Sequence, residues 1–292
     1  MILDENLVAV HAYLCADGYV IKNPLSQKHK YYKIGFRNTN LILLKDFQEK
    51  FEKVFGIKPH LYVGQRCQKG SKYIYELLTR EFGSFYSWEW KMLNLNDDRL
   101  LAIWLRAFFD CESWVFCKSH KNRHIGLDSV NEVGLKQVQK ALLKFGIKTK
   151  WKINSNRTTK RIIIYGKENI CKFSNNIGFL HPEKNKKLHD CINDYVNYIW
   201  NFPSENKSRK MFVLKLLKEK IRINKNRSLK IFSKEEINLI HLSSDLNRFF
   251  KVFSIVRCAI NGQGIVYYEL GIYRKGDISK LISLKVIPNV FK

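Results

Sequence analysis

Two acids, Asp17 and Glu112, stand where two apolar runs end. The first run is Leu7-Val-Ala-Val-His-Ala-Tyr-Leu-Cys-Ala16. The second is Arg99-Leu-Leu-Ala-Ile-Trp-Leu-Arg-Ala-Phe-Phe109, which reaches Glu112 through Asp110 and Cys111. Small residues recur in both, Ala9, Ala12 and Ala16 in one and Ala102 and Ala107 in the other, and small side chains let two helix backbones approach closely. Paired helices of this kind would deliver both carboxylates to one place. Helix C-termini favour cations, and oxygen ligands suit a divalent ion.

Other constellations are weaker. Cys117, His120 and His124, with Cys111 upstream, have a spacing open to zinc, although His and Cys on a hairpin are more often incidental. No phosphate loop, dinucleotide fingerprint or Ser-His-Asp order is present. Tyr31, Tyr32, Phe82, Phe85, Tyr86, Trp88 and Trp90 are expected to pack in the core and hairpins more than to stack on bases.

The elements that must hold the two acids repeat. After Asp17-Gly18, a helix stop, alternation predicts strands at Tyr19–Lys22 and Lys30–Arg37, then a helix Leu41–Phe55 closed by Gly56. Strands are expected at His60–Gln65 and Lys72–Leu77 around a Gly70 turn, then a helix near Arg80–Trp88. After Glu112 the order restarts: strands Trp114–Lys118 and His124–Ser129, helix Val133–Phe145 closed by Gly146, strands Thr149–Ile153 and Arg161–Tyr165, helix Glu168–Ile177. Asp17 aligns with Glu112 and Gly56 with Gly146, so the chain carries an internal duplication of about 95 residues. Beyond Trp200 the composition changes. Between Pro203 and Lys234 eleven Lys and Arg face only Glu205 and Glu219, and an α-β-β-α set follows with no acidic helix ahead of it.

Val10-His-Ala-Tyr-Leu-Cys-Ala-Asp-Gly18 and Leu105-Arg-Ala-Phe-Phe-Asp-Cys-Glu-Ser113 resemble degenerate copies of the motif that names the LAGLIDADG homing endonucleases. The resemblance covers roughly residues 1–200. It implies an α+β protein of two tandem αββαββα halves, 1–97 and 98–202, forming a DNA-binding saddle, with a small basic α/β domain at 203–292. It also implies a monomer that cuts double-stranded DNA at a long asymmetric site. Asp17 and Glu112, with the main-chain carbonyls of Ala16 and Cys111, would hold Mg²⁺ for phosphodiester hydrolysis, leaving short 3′ overhangs. The sixth motif position, Asp110 in one copy and Cys15 in the other, is not a ligand in that pattern. Strand residues expected to face DNA are Lys33, Arg37, Arg66, Lys72, Lys118, Arg123, Lys150, Lys152 and Arg161. Two alternatives keep the fold: a maturase that binds its own intron RNA, and a DNA-binding protein without turnover.

Charge fits these readings. The 292 residues hold 52 Lys and Arg against 26 Asp and Glu, a net +26, and such self-repulsion favours a polyanionic partner. The longest apolar runs are too short for a membrane span, and the first residues lack the pattern of a signal peptide. Seven scattered cysteines point to a reducing, intracellular setting.

Overall fold

Asp4 accepts a hydrogen bond from the Leu7 amide at 2.8 Å and so opens the first helix, α1 (Glu5–Cys15). A computed structural model describes residues 2–24, 26–28, 31–117, 123–153, 158–193, 200–203, 208–224, 226–260 and 266–289. Strands β1 (Gly18–Lys22) and β2 (Tyr32–Arg37) follow α1, then α2 (Leu41–Phe55), β3 (His60–Tyr62), β4 (Arg66–Gly70) and α3 (Lys72–Phe82). The restart gives α4 (Asp98–Glu112), β5 (Ser113–Cys117), β6 (Arg123–Ser129), α5 (Glu132–Lys144), β7 (Thr149–Ile153), β8 (Lys160–Tyr165) and α6 (Lys167–Asn176). Both halves are therefore αββαββα. Their antiparallel sheets run β1-β2-β4-β3 and β5-β6-β8-β7. A further helix, α7 (Pro182–Asn193), was not expected, although Pro182 at its first position is a start signal.

One hairpin is displaced from its expected place. Lys72–Leu77 is helical, because Ser71 accepts from the Ile74 amide at 3.2 Å and Ile74 and Leu78 bury one helix face. The turn lies instead at Gly64, whose φ of +69° suits glycine. Gly18 also has a different role from the expected helix stop. It opens β1 so close to the last turn of α1 that a Cβ would collide with the Leu14 backbone.

The chain divides into two compact units, Met1–Tyr195 and Val196–Lys292. In the first, α1 and α4 pack against each other inside one continuous core, and every residue of α1 from Leu7 to Cys15 is buried. At the start of the pair Arg99 forms an ion pair with Glu5. In the middle Trp104 Nε1 donates to His11 Nδ1 at 3.1 Å, both side chains being buried.

Burial holds His11 neutral, its pKa lowered to about 3 from 6.5. The unfolded chain takes up that proton below about pH 6.5 and the folded chain does not, so this histidine costs stability as pH falls from 6.5 towards 3. The slope is up to about 1.4 kcal/mol per pH unit. Asp110 and Glu112, raised to about 6 and 7, act in the opposite direction there. The comparison with His11→Gln isolates the histidine: urea unfolding should find the wild type's advantage at pH 7.5 shrinking steadily by pH 4.5. A constant gap would contradict the assignment.

The second unit contains α8 (Arg209–Lys220), β9 (Arg222–Ile223), β10 (Leu229–Ser233), α9 (Glu236–Phe250), β11 (Ile255–Ile260), β12 (Val266–Ile272) and α10 (Lys275–Ser283). The basic stretch is thus folded: its Val213, Leu216, Leu217, Leu229 and Ile231 are core residues between the cations. The expected α-β-β-α set is only the later part of the unit. Trp200 and Phe202 pack with this core, so the unit begins before 203.

Candidate metal and nucleic-acid site

The chemistry gathers where α1 and α4 end. Asp17 lies two residues past α1, and its carboxylate accepts from Asn38 Nδ2 at 3.2 Å. Its main-chain carbonyl accepts from the Arg37 amide at 3.1 Å, which ties the acid to the end of β2. Glu112 is the last residue of α4, a helix that runs three residues further than Phe109. Burial raises the Asp17 carboxyl. It pushes Glu112 harder, up to about 7, and the charge of Asp17 is the next cause. Two desolvated carboxylates thus repel each other across the helix pair.

One cation relieves them. Lys184, on the first turns of α7, donates from Nζ to the carbonyls of Asp110 at 2.6 Å and of Phe109 and Cys111 at 3.3 Å each. It also favours the ionised forms of Asp17 and Glu112. Asp110 fixes the start of the same helix: its buried carboxylate accepts from the amides of Leu180 and His181 at 3.1 and 2.9 Å. The acid at this motif position is therefore a clamp for α7. In the first copy Cys15 holds the position and packs against His11. Lys184→Met should lower the unfolding free energy in metal-free buffer by about 2–4 kcal/mol, because it strands buried acids and carbonyls together. Chemical denaturation measures this, and an unchanged midpoint would mean that the ammonium balances nothing.

The donor set suits a hard divalent cation. It offers two carboxylates and main-chain oxygens, and the Cys111 carbonyl, already accepting from Lys184, keeps a second lone pair. Among the described residues no three His, Cys, Asp or Glu side chains converge as a metal-holding group. A bound ion would therefore complete its shell from carbonyls, water or phosphate. His120 of the zinc spacing lies outside the described residues.

The candidate basic residues separate by face. Lys33, Arg37 and Arg66 share the outer face of the first sheet with Tyr19, Gln68 and Tyr62, Arg66 lying opposite both Arg37 and Tyr62. Lys33 lies 4.6 Å from the Tyr31 ring, Arg37 5.0 Å from Tyr19 and Arg66 4.8 Å from Tyr62. On the second sheet Lys150, Lys152 and Arg161 share the outer face. Arg161 stacks on Trp114 at 4.7 Å and grips Asp128 with two bonds of 2.6 and 2.7 Å. Two expectations fail. Arg123 turns to the inner face and is 4% exposed, and Lys72 sits on α3 beside Glu76 rather than on a strand. Lys118 lies outside the described residues.

Lys184 and the ring pedestals Tyr19 and Trp114 were not singled out in the sequence. Each ring stands two residues after its acid, a signal that the duplication does carry.

The model of the LAGLIDADG-like domain matches residues 5–85 and, a second time, 99–178. The chain belongs to the LAGLIDADG family. Its two LAGLIDADG copies are the two halves just described. Of the curated relatives from Methanocaldococcus jannaschii, a glutamine–fructose-6-phosphate aminotransferase is 23% identical over 64% of this chain and 17% of its own length. A replication factor C small subunit is 29% identical over 65% of this chain and 10% of its own length. The chain thus spans under a fifth of either. Among solved structures, the homing endonuclease I-DmoI in complex with DNA and Ca is 16% identical, covering 63% of this chain and 98% of that one, with a TM-score of 0.47. The homing endonuclease I-WcaI bound to its DNA recognition sequence is 17% identical, covering 64% and 88%, with a TM-score of 0.42. Among the described residues of this LAGLIDADG protein, no helix is long and apolar enough to cross a membrane.

Proposed function

We propose that the first unit is a site-specific endonuclease for double-stranded DNA, acting as a monomer and dependent on a divalent cation such as Mg²⁺. One observation carries the reading: two desolvated acids, Asp17 and Glu112, converge from paired helices, each preceding a strand of a four-stranded sheet with a basic outer face. That this chain aligns with only 17% of an aminotransferase and 10% of a replication protein is consistent with an activity that is neither of theirs.

Asp17 and Glu112, with the carbonyls of Ala16 and Cys111, would hold the ions. Bound there, a divalent cation supplies charge stabilisation at a phosphodiester and at its departing 3′ oxygen. Asn38 restrains the Asp17 carboxylate, and Lys184 limits the repulsion between the acids. Lys33, Arg37, Arg66, Lys150 and Lys152 engage phosphates and base edges along the major groove, where an antiparallel ribbon fits. Arg161 is already committed to Asp128 and contributes more to the shape of that face than to phosphate binding.

The test is selection of cut sequences from a library of randomised duplexes with Mg²⁺, followed by sequencing of the ends. The reading requires one long preferred site with a paired, short 3′ stagger. Uncut libraries across Mg²⁺ and Mn²⁺ would refute it.

A further inference from the structure

The second unit carries the topology of the first two halves. Its elements run α8-β9-β10-α9-β11-β12-α10, again αββαββα, and its antiparallel sheet is ordered β9-β10-β12-β11. In all three sheets the second hairpin's last strand pairs with the first hairpin's second strand. That order does not follow from hairpin formation alone.

Each sheet also seats an aromatic on a glycine with an arginine against the ring. Ring and glycine occupy corresponding strands in the first two sheets, and the end of the last strand and that strand itself in the third. On the first sheet the Tyr19 ring covers Gly35 and Arg37 stacks on the ring; on the second, Trp114 covers Gly126 beneath Arg161. On the third, Tyr273 covers Gly271, and Arg257 lies 5.7 Å from its centroid. A side chain at any of these glycines would collide with the ring above it. Three times, glycine seats an aromatic that carries an arginine.

What differs is the end of the leading helix. The residue just before the first strand is Asp17, Glu112 and, here, Ile221, between Lys220 and Arg222. The leading helix also differs in burial. α1 is buried from Leu7 to Cys15, whereas α8 buries only Val213, Leu216 and Leu217 and exposes Met211, Lys215 and Lys218. The unit therefore has neither the acid for cutting nor the surface for helix pairing. It keeps the sheet and a dense charge: nineteen Lys and Arg against seven Asp and Glu over 196–292, a net +12 on 97 residues, against +14 on the preceding 195.

We infer that residues 196–292 are a third, acid-less copy of the half, and that the outer face of its sheet grips double-stranded DNA without cutting it. Arg257 is exposed on the edge strand β11 of that face, and Glu269 opposite it on β12 is held by Lys230 at 2.6 Å. Duplex DNA is favoured over duplex RNA because the B-form major groove admits a β-ribbon and the A-form groove does not. The inference rests on reading the outer faces of the first two sheets as DNA faces.

The experiment uses the full chain and a 40-base-pair mixed-sequence DNA duplex, with an RNA duplex of equal length in parallel, and compares three charge reversals. Arg257→Glu should weaken DNA binding about tenfold at moderate salt and reduce the salt slope by one to two, with Arg257→Gln weaker by less. Lys215→Glu, the same charge change on the exposed side of α8, should do much less. Arg37→Glu reports on the first sheet. If Arg37→Glu weakens binding and Arg257→Glu does no more than Lys215→Glu, the third copy does not grip DNA. If neither Arg37→Glu nor Arg257→Glu has an effect, the reading of the outer faces fails as a whole. A loss confined to the RNA duplex overturns the assignment to DNA.

Discussion

Asp17→Asn and Glu112→Gln should each reduce double-strand cutting to background, a loss of at least about 10³, while duplex affinity stays within a fewfold of wild type. Both changes keep shape and remove one negative charge. Both acids are raised by burial, so their ionised forms are held at a cost in the folded chain. An amide removes that cost. In EDTA at pH 8 the variants should therefore unfold at the same denaturant concentration as wild type or a higher one. Lost cutting with retained stability separates a role in chemistry from a role in folding. Near-normal cutting by either variant with Mg²⁺ would remove that acid from the site.

Salt is expected to have the second large effect. The outer faces hold Lys33, Arg37, Arg66, Lys150 and Lys152, and each phosphate neutralised releases counterions, giving a log–log slope of about −0.9 per contact. With about six to ten contacts, raising salt from about 50 to 200 mM should cost on the order of 10³ or more in affinity, read by fluorescence anisotropy on a long duplex. A nearly flat response would mean that the net +26 serves another partner.

The sequence made the duplication and the two acids legible because helix ends and glycine turns are local signals. Helix α2 was read to its terminal residues, with Gly56 at φ +67° as its cap. Sheet facing was legible only where alternation was clean. Arg123 has the composition of a surface residue and lies inside, because β6 pairs with β5 and β8 in a register set by Ile125 and Leu127. Lys72 was read as a strand residue because Tyr73 and Tyr75 favour strands, and the Ser71 cap outweighed that preference. The unexpected α8, β9 and β10 lay beneath a dense cationic composition, with the core residues as minority letters among the lysines. Lys184 was beyond reach for a different reason: its partners are main-chain carbonyls more than seventy positions away, and no pattern of side-chain types announces them.

The clamp between Asp110 and α7 also fixes the smallest piece of this chain worth transplanting. The repeated family segment ends at residue 178, just ahead of Leu180 and His181, whose amides Asp110 holds, and of Lys184. A gene fragment cut at that boundary keeps both carboxylates and discards the ammonium that offsets them. A fusion partner or linker joined there would meet the open carbonyl end of α4. A portable version begins at the Asp4 cap and runs at least through Asn193, where α7 ends.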